Sequence, residues 1–294
     1  MRSFAKKQAQ DDRLSDTTLY SETRTKEKDR MPRFAANLSS LFTELTFPER
    51  FAAAAKHGFS AVEFLFPYDY PKEELAELLK RHELQPVMFN LPSGRWEAGE
   101  RGLACDPRRI PEFREGLEKA IDYAGALDCK KLNCLPGIMP SESCPLTLHE
   151  TLVANLRHAA SRLAQLNIKL LIEPINVYDN PNFFLHRSSH ALAIIDEVDH
   201  PNLGLLYDVY HMQITEGNLA STIAENIARI GHVQVADVPG RNEPGTGEIN
   251  FNYLFRHLDA IGYDGWIGCQ YNPLLSTEEG LEWIAPYQLQ SSAA

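Results

Sequence analysis

At 294 residues the chain exceeds a typical single domain but is close to the size at which alternating strands and helices close into one barrel. A hydrophobic fraction of 44% excludes global disorder, and a formal net charge of -11 opposes binding to nucleic-acid phosphates. The five cysteines are odd in number and form no CxxC pair, which argues against a disulfide framework or a zinc knuckle and for a reducing, cytoplasmic setting.

Residues 1–30 carry eight basic and six acidic side chains, with only Phe4, Leu14, Leu19 and Tyr20 as large apolar groups. They are expected to form a disordered tail, or an extension upstream of Met31, because so little apolar surface cannot offset the entropy of ordering. Residues 31–289 are expected to form the folded domain. No apolar run reaches the roughly 20 residues of a membrane helix, so no membrane partner is expected.

From Arg33 onward, β-prone runs alternate with amphipathic ones. Strands are predicted over Arg33 to Asn37, Ala61 to Phe64 and Gln85 to Phe89, each followed by a helical pattern, over Phe47 to His57, Lys72 to His82 and Pro111 to Ala126. The alternation continues with strands over Lys131 to Leu135, Lys169 to Glu173, Leu203 to Tyr207, His232 to Ala236 and Trp266 to Cys269. Their helices are predicted over Leu146 to Leu166, Ser188 to Val198, Leu219 to Arg229, Phe251 to Ile261 and Thr277 to Ile284. Pro48 and Pro71 sit where a missing N–H costs nothing, while Gly58 and Gly262 follow helices where a left-handed residue is favoured. Strict alternation implies a parallel sheet covered by helices, and eight units imply closure into an α/β (β/α)8 TIM barrel. An open doubly wound sheet is the alternative, but the sequence has no GxGxxG or GxxxxGK[ST] to support it.

In such a barrel, chemistry belongs at the carboxyl ends of the strands. Four successive strands end in a polar group: Glu173 after Leu170-Leu-Ile, Asp208 after Leu205-Leu-Tyr, Gln234 within His232-Val-Gln-Val, and Gln270 after Trp266-Ile-Gly-Cys. Singly, either carboxylate reads equally well as the first loop residue. Together they offer oxygen ligands for a hard divalent cation, Mg2+ or Mn2+. His211, three residues after Asp208, is expected in a loop where it binds substrate or shuttles a proton. Arg241 suits a substrate carboxylate, and His232 shares a strand face with Gln234. Glu63 admits two readings, a substrate contact at the barrel mouth and a buried, hydrogen-bonded structural acid. Asn90, opening Asn90-Leu-Pro-Ser-Gly, and Asn133 offer hydrogen bonds to ligand hydroxyls, although turn formation accounts for the first equally well.

Several segments carry a resemblance. Phe34-Ala-Ala-Asn-Leu-Ser, Gly58-Phe-Ser-Ala-Val-Glu-Phe-Leu-Phe-Pro-Tyr-Asp-Tyr, Asn90-Leu-Pro-Ser-Gly, Ala98-Gly-Glu-Arg-Gly, Leu171-Ile-Glu-Pro-Ile-Asn, Tyr207-Asp-Val-Tyr-His-Met-Gln and Glu243-Pro-Gly-Thr-Gly-Glu-Ile-Asn together resemble the hydroxypyruvate isomerase family, from about Met31 to Tyr287. The resemblance implies a xylose-isomerase-like barrel that interconverts hydroxypyruvate and 2-hydroxy-3-oxopropanoate. It implies Glu173, Asp208 and Gln234 as metal ligands, Glu173 also as acid/base, and His211 and Arg241 as substrate contacts.

Gln270 stands where the family has a glutamate that both ligates metal and exchanges protons. An amide ligates through its oxygen but transfers no proton, so the departure bears on activity. The implied partner is a small hydroxy-keto acid; the sequence leaves the oligomeric state open, a homo-oligomer included. Three alternatives remain at this point: a keto-tetronate isomerase or keto-sugar epimerase on the same scaffold, a metal- and keto-acid-binding barrel without turnover, and a DNA-repair nuclease of the same barrel type. The last requires more strand-end histidines.

Overall fold

The computed structural model describes residues 32–288; the expected tail over residues 1–30 lies outside them, as does residue 289. The described chain runs β1 (Arg33–Asn37), α1 (Phe47–Lys56), β2 (Ala61–Glu63), α2 (Lys72–Arg81), β3 (Gln85–Pro86), β4 (Phe89–Asn90), α3 (Ile110–Leu127), β5 (Lys131–Cys134) and α4 (Pro145–Ala164). It continues through β6 (Lys169–Ile172), α5 (Ser188–Val198), β7 (Leu203–Asp208), α6 (Val209–Thr215), α7 (Leu219–Asn226), β8 (Ile230–Val235), α8 (Phe251–Ala260) and β9 (Trp266–Cys269). A 3-10 turn over Glu279–Ile284 and α9 (Ala285–Gln288) finish it.

All strand pairings are parallel, in the order β3-β2-β1-β9-β8-β7-β6-β5-β4. The two ends of that order are consecutive pieces of one strand. Val87 N–H donates to Val62 O (2.8 Å) on one side, and Leu91 N–H donates to Asn133 O (2.8 Å) on the other, so the sheet closes into a barrel. The sequence predicted an unbroken third strand; its interruption follows Pro86, which has no ladder N–H.

Local chemistry sets the helix limits. At α1 the Glu49 carboxylate accepts the Thr46 N–H (3.0 Å), Pro48 lies in the first turn, and Gly58 follows at φ 83°, the left-handed geometry that glycine adopts without strain. The helix expected over Thr277 to Ile284 is instead a 3-10 turn. That tighter winding sets Trp283 edge-on against Phe34 (5.1 Å) and brings its Nε1–H to the Tyr271 hydroxyl (3.2 Å).

The helices cover the outer face of the sheet with one continuous apolar layer, while a smaller set, Ala35, Ala61, Val87, Met88, Leu171 and Leu206, fills the inside. Side chains alternate along a strand, so the residue two positions beyond each inward side chain also points inward, one layer nearer the carboxyl end. That step leads from Ala35 to Asn37, Ala61 to Glu63, Met88 to Asn90, Lys131 to Asn133, Leu171 to Glu173, Leu206 to Asp208, His232 to Gln234 and Gly268 to Gln270. Every residue reached is polar and buried. The apolar plug thus ends in a polar layer.

Candidate active site

Part of the polar layer is sealed within the barrel wall. Glu63 Oε1 accepts from Asn37 Nδ2 (2.9 Å) and Gln234 Nε2 (2.6 Å), and Oε2 faces His232 Nε2 at 2.6 Å. Burial holds the His232 imidazole below its usual value. A Cβ built on Gly268 would collide with both Glu63 oxygens, so β9 has glycine where the carboxylate needs room. Of the two sequence readings of Glu63, the geometry supports the buried structural acid, because both oxygens are taken by neighbours and the residue has no exposed surface.

A second network surrounds Glu173, whose Oε2 accepts from Asn133 Nδ2 (2.8 Å). Asn133 also donates to Asn90 Oδ1 (3.1 Å), and Tyr68 Oη–H donates to the Asn90 carbonyl (2.6 Å). Asn90, expected among the substrate contacts, is thereby engaged in holding Asn133.

Asp208 has two tasks, one for each oxygen. Oδ1 accepts the Tyr210 N–H (2.8 Å) and His211 N–H (3.4 Å), capping α6. This corrects the sequence expectation that His211 lies in a loop: the Asp208 side chain starts a helix immediately, and His211 is in its first turn. Oδ2 faces inward, 3.5 Å from His211 Nε2 and 3.3 Å from Arg241 Nη2.

Asn176, which sequence reasoning did not single out, fixes the His211 ring. Its Oδ1 accepts the Tyr178 and Asp179 N–H groups, which leaves Nδ2–H to donate to His211 Nδ1 at 2.7 Å. With Nδ1 accepting, the proton of the neutral ring sits on Nε2. Burial and the Arg241 guanidinium hold His211 well below the usual imidazole value, which keeps the ring neutral. His211 therefore presents an N–H donor to the site.

Arg241 reaches the site from the loop after β8. Asp237 organises that loop by accepting from the backbone N–H groups of Val238, Gly245, Gly247 and Ile249. The guanidinium lies over the Tyr210 ring (5.0 Å), and Nη2 donates to Gln270 Oε1 at 2.5 Å. It joins the ends of β7 and β9.

Burial, reinforced by the Asp208 carboxylate, pushes Glu173 up to about 8. Burial also raises Asp208, against the opposing effect of Arg241. Two buried carboxylates facing one another are a costly arrangement without a counter-charge. The residues fit a hard cation: carboxylate oxygens of Glu173 and Asp208 lie within 4.8 Å of one another, with the His211 N–H beside them. Moreover, Asn133 Oδ1 and Gln234 Oε1 are buried without a hydrogen-bond partner; Asn133 bonds Glu173, and Gln234 lies opposite Asp208 in the strand register.

Residues 51–287 match the xylose isomerase-like TIM barrel family. The chain is 52% identical over 258 residues to hydroxypyruvate isomerase of Escherichia coli strain K12, covering 88% of this chain and 100% of that protein. It is 46% identical over 257 residues to 2-oxo-tetronate isomerase of Cupriavidus necator, covering 87% and 99%. A crystal structure titled AP endonuclease, family 2, from Brucella melitensis superposes with a TM-score of 0.86 at 46% identity, covering 87% of this chain and 99% of that one.

Proposed function

Because this chain belongs to the xylose isomerase-like TIM barrel family, we propose that it is an isomerase of a small hydroxy-keto acid, hydroxypyruvate in the first instance. The observation that carries the reading is the strand-end cluster itself: the buried carboxylates of Glu173 and Asp208 face one another, in one polar layer with the unpartnered oxygens of Asn133 and Gln234.

Glu173, Asp208 through Oδ2, and the amide oxygens of Gln234 and Gln270 are the ligands we assign to a divalent cation. Oxygen donors of this kind suit Mg2+ or Mn2+. When bound, such an ion acts as a Lewis acid on the substrate carbonyl. Glu173 removes a proton from C3 of hydroxypyruvate and returns it to C2, while the hydroxyl proton passes from O3 to O2. The product is 2-hydroxy-3-oxopropanoate (tartronate semialdehyde). His211 donates its Nε2–H to a substrate oxygen, and Arg241 pairs with the substrate carboxylate. Gln270 transfers no proton, so Glu173 serves both carbons.

2-Oxo-tetronate isomerisation is the second reading, favoured by the Cupriavidus necator relative; it needs the same proton transfer on a longer chain. A nuclease reading has less support. The strand-end set is built from carboxylates and amides, and the net charge of -11 opposes a DNA phosphate backbone. None of the described helices is long and apolar enough to cross a membrane, and the five free cysteines suit the cytoplasm.

The test is a panel of hydroxypyruvate, 2-oxo-tetronates and keto-sugars, each with Mn2+, Mg2+ or EDTA. We expect aldehyde formation from hydroxypyruvate that EDTA removes. Turnover of a keto-sugar alone would overturn the assignment.

A further inference from the structure

Gln234 raises a question of direction. A primary amide presents an N–H donor on one side and an oxygen on the other, and only the oxygen ligates a cation. In an uncommitted buried pocket, both orientations fill the same space. Here the choice is made from behind. Glu63 Oε1 lies 2.6 Å from Gln234 Nε2, and a carboxylate accepting from its neighbours pairs only with the N–H side. The Gln234 oxygen is therefore turned the other way, buried and without a partner.

We propose that Glu63 is a positioning residue, which fixes the Gln234 amide with its oxygen toward the cation; the proposal rests on the reading of Gln234 as a ligand. Three features fix Glu63 itself. Asn37 donates to the same oxygen that holds Gln234, and His232 engages the other oxygen. Gly268 supplies the space, since a Cβ there would collide with both oxygens. Accepting an N–H from the amide also draws electron density toward its oxygen, so the carboxylate strengthens the donor as well as orienting it, as outer partners of metal ligands do. The effect matters more in this chain because Gln270 contributes an amide where a carboxylate would add a full negative charge. Glu63 touches neither cation nor substrate and acts through Gln234.

The experiment is calorimetric titration of the full chain with Mn2+, using the unmodified protein, Gln234→Leu, Glu63→Leu, Glu63→Gln and the double variant Glu63→Leu/Gln234→Leu. We expect Gln234→Leu to weaken Mn2+ and Glu63→Leu to weaken it by about 10- to 100-fold. Glu63→Gln retains an oxygen for the Gln234 N–H but withdraws the charge, so it should weaken Mn2+ less than Glu63→Leu does. In the Gln234→Leu background, Glu63→Leu should add nothing, because its route to the cation is already gone. Unchanged affinity in Glu63→Leu, or the same loss with and without Gln234, overturns the positioning role while leaving the ligand reading intact. A Gln234→Leu variant that binds Mn2+ normally overturns both. Should Glu63→Leu not fold, Glu63→Asp withdraws the carboxylate by one methylene. It is expected to lose affinity, and unchanged affinity in that variant overturns the proposal.

Discussion

Two parts of the same polar layer are built on opposite terms. In the wall under β1, β2 and β8, the Glu63 carboxylate has Asn37, Gln234 and His232 as partners, and the neighbouring strand supplies glycine to make room for it. At the rim formed by β6, β7 and β9, Glu173 and Asp208 face one another in a buried space, both raised by burial. There Arg241 is the positive group within hydrogen-bonding reach of Asp208. In the wall, both oxygens of the Glu63 carboxylate are partnered by the protein alone. On the proposed reading, the rim is arranged for charge that arrives with a ligand, and such sites give up stability for function. This contrast says which substitutions should affect catalysis and which should affect folding.

The largest effect is expected at Glu173. Glu173→Gln keeps an oxygen for Asn133 but removes the proposed base, so hydroxypyruvate turnover should fall by about 10²- to 10⁴-fold with the circular-dichroism spectrum unchanged. A variant retaining most of its turnover would break the contrast, because the rim would then not hold the base. Next in size is Gln270→Glu, which gives the rim a second titratable oxygen at almost the same place and a charged partner for Arg241. Turnover should rise by about 10²-fold, the lower end of what acid-base catalysis contributes. Steady-state kinetics showing full turnover in the unmodified protein and no gain in the variant would mean that Glu173 alone suffices for both carbons.

Much of this layer was legible in the sequence, and physical reasons account for what was not. Glu173, Asp208, Gln234 and Gln270 stand out because each terminates or interrupts an apolar strand. Asn37 ends β1 just as consistently, yet asparagine before a turn is commonplace, so its position carries little signal. Applying the two-residue alternation to every predicted strand would have found it. The partnership of Glu63 with His232 joins positions 169 residues apart and becomes visible only when the barrel closes. The strand-end position of Asp208 points to a ligand, but its second task as the cap of α6, and with it the setting of His211, depends on the chain turning helical at once. Asn176 lies three residues after Glu173, but its effect on the His211 proton depends on which atoms its amide has already committed to backbone groups.

The smallest predicted effect tests the cost of the rim directly. Glu173 has an ordinary value of 4.5 and is pushed up to about 8 in the fold. Between those values the folded protein holds a proton that the unfolded chain has released. Stability conferred by a raised pKa is present at low pH and lost as pH rises through the folded value. Metal-free protein should therefore lose stability as pH climbs from about 5 to about 8.5, and above that the fold carries a buried anion facing Asp208. Glu173→Gln cannot ionise and should lack this component of the decline. In EDTA, its melting temperature relative to the unmodified chain should rise with pH, by about 2–4 °C for each kcal/mol relieved. Mn2+ should narrow the difference at high pH, since a bound cation neutralises the anion that the substitution removes. The reading fails if scanning calorimetry gives parallel pH curves for the two proteins, or if the variant is relatively less stable at pH 8.5 than at pH 5. Either result would place the carboxyl of Glu173 in a satisfied environment like that of Glu63, and the distinction between rim and wall would lose its energetic basis.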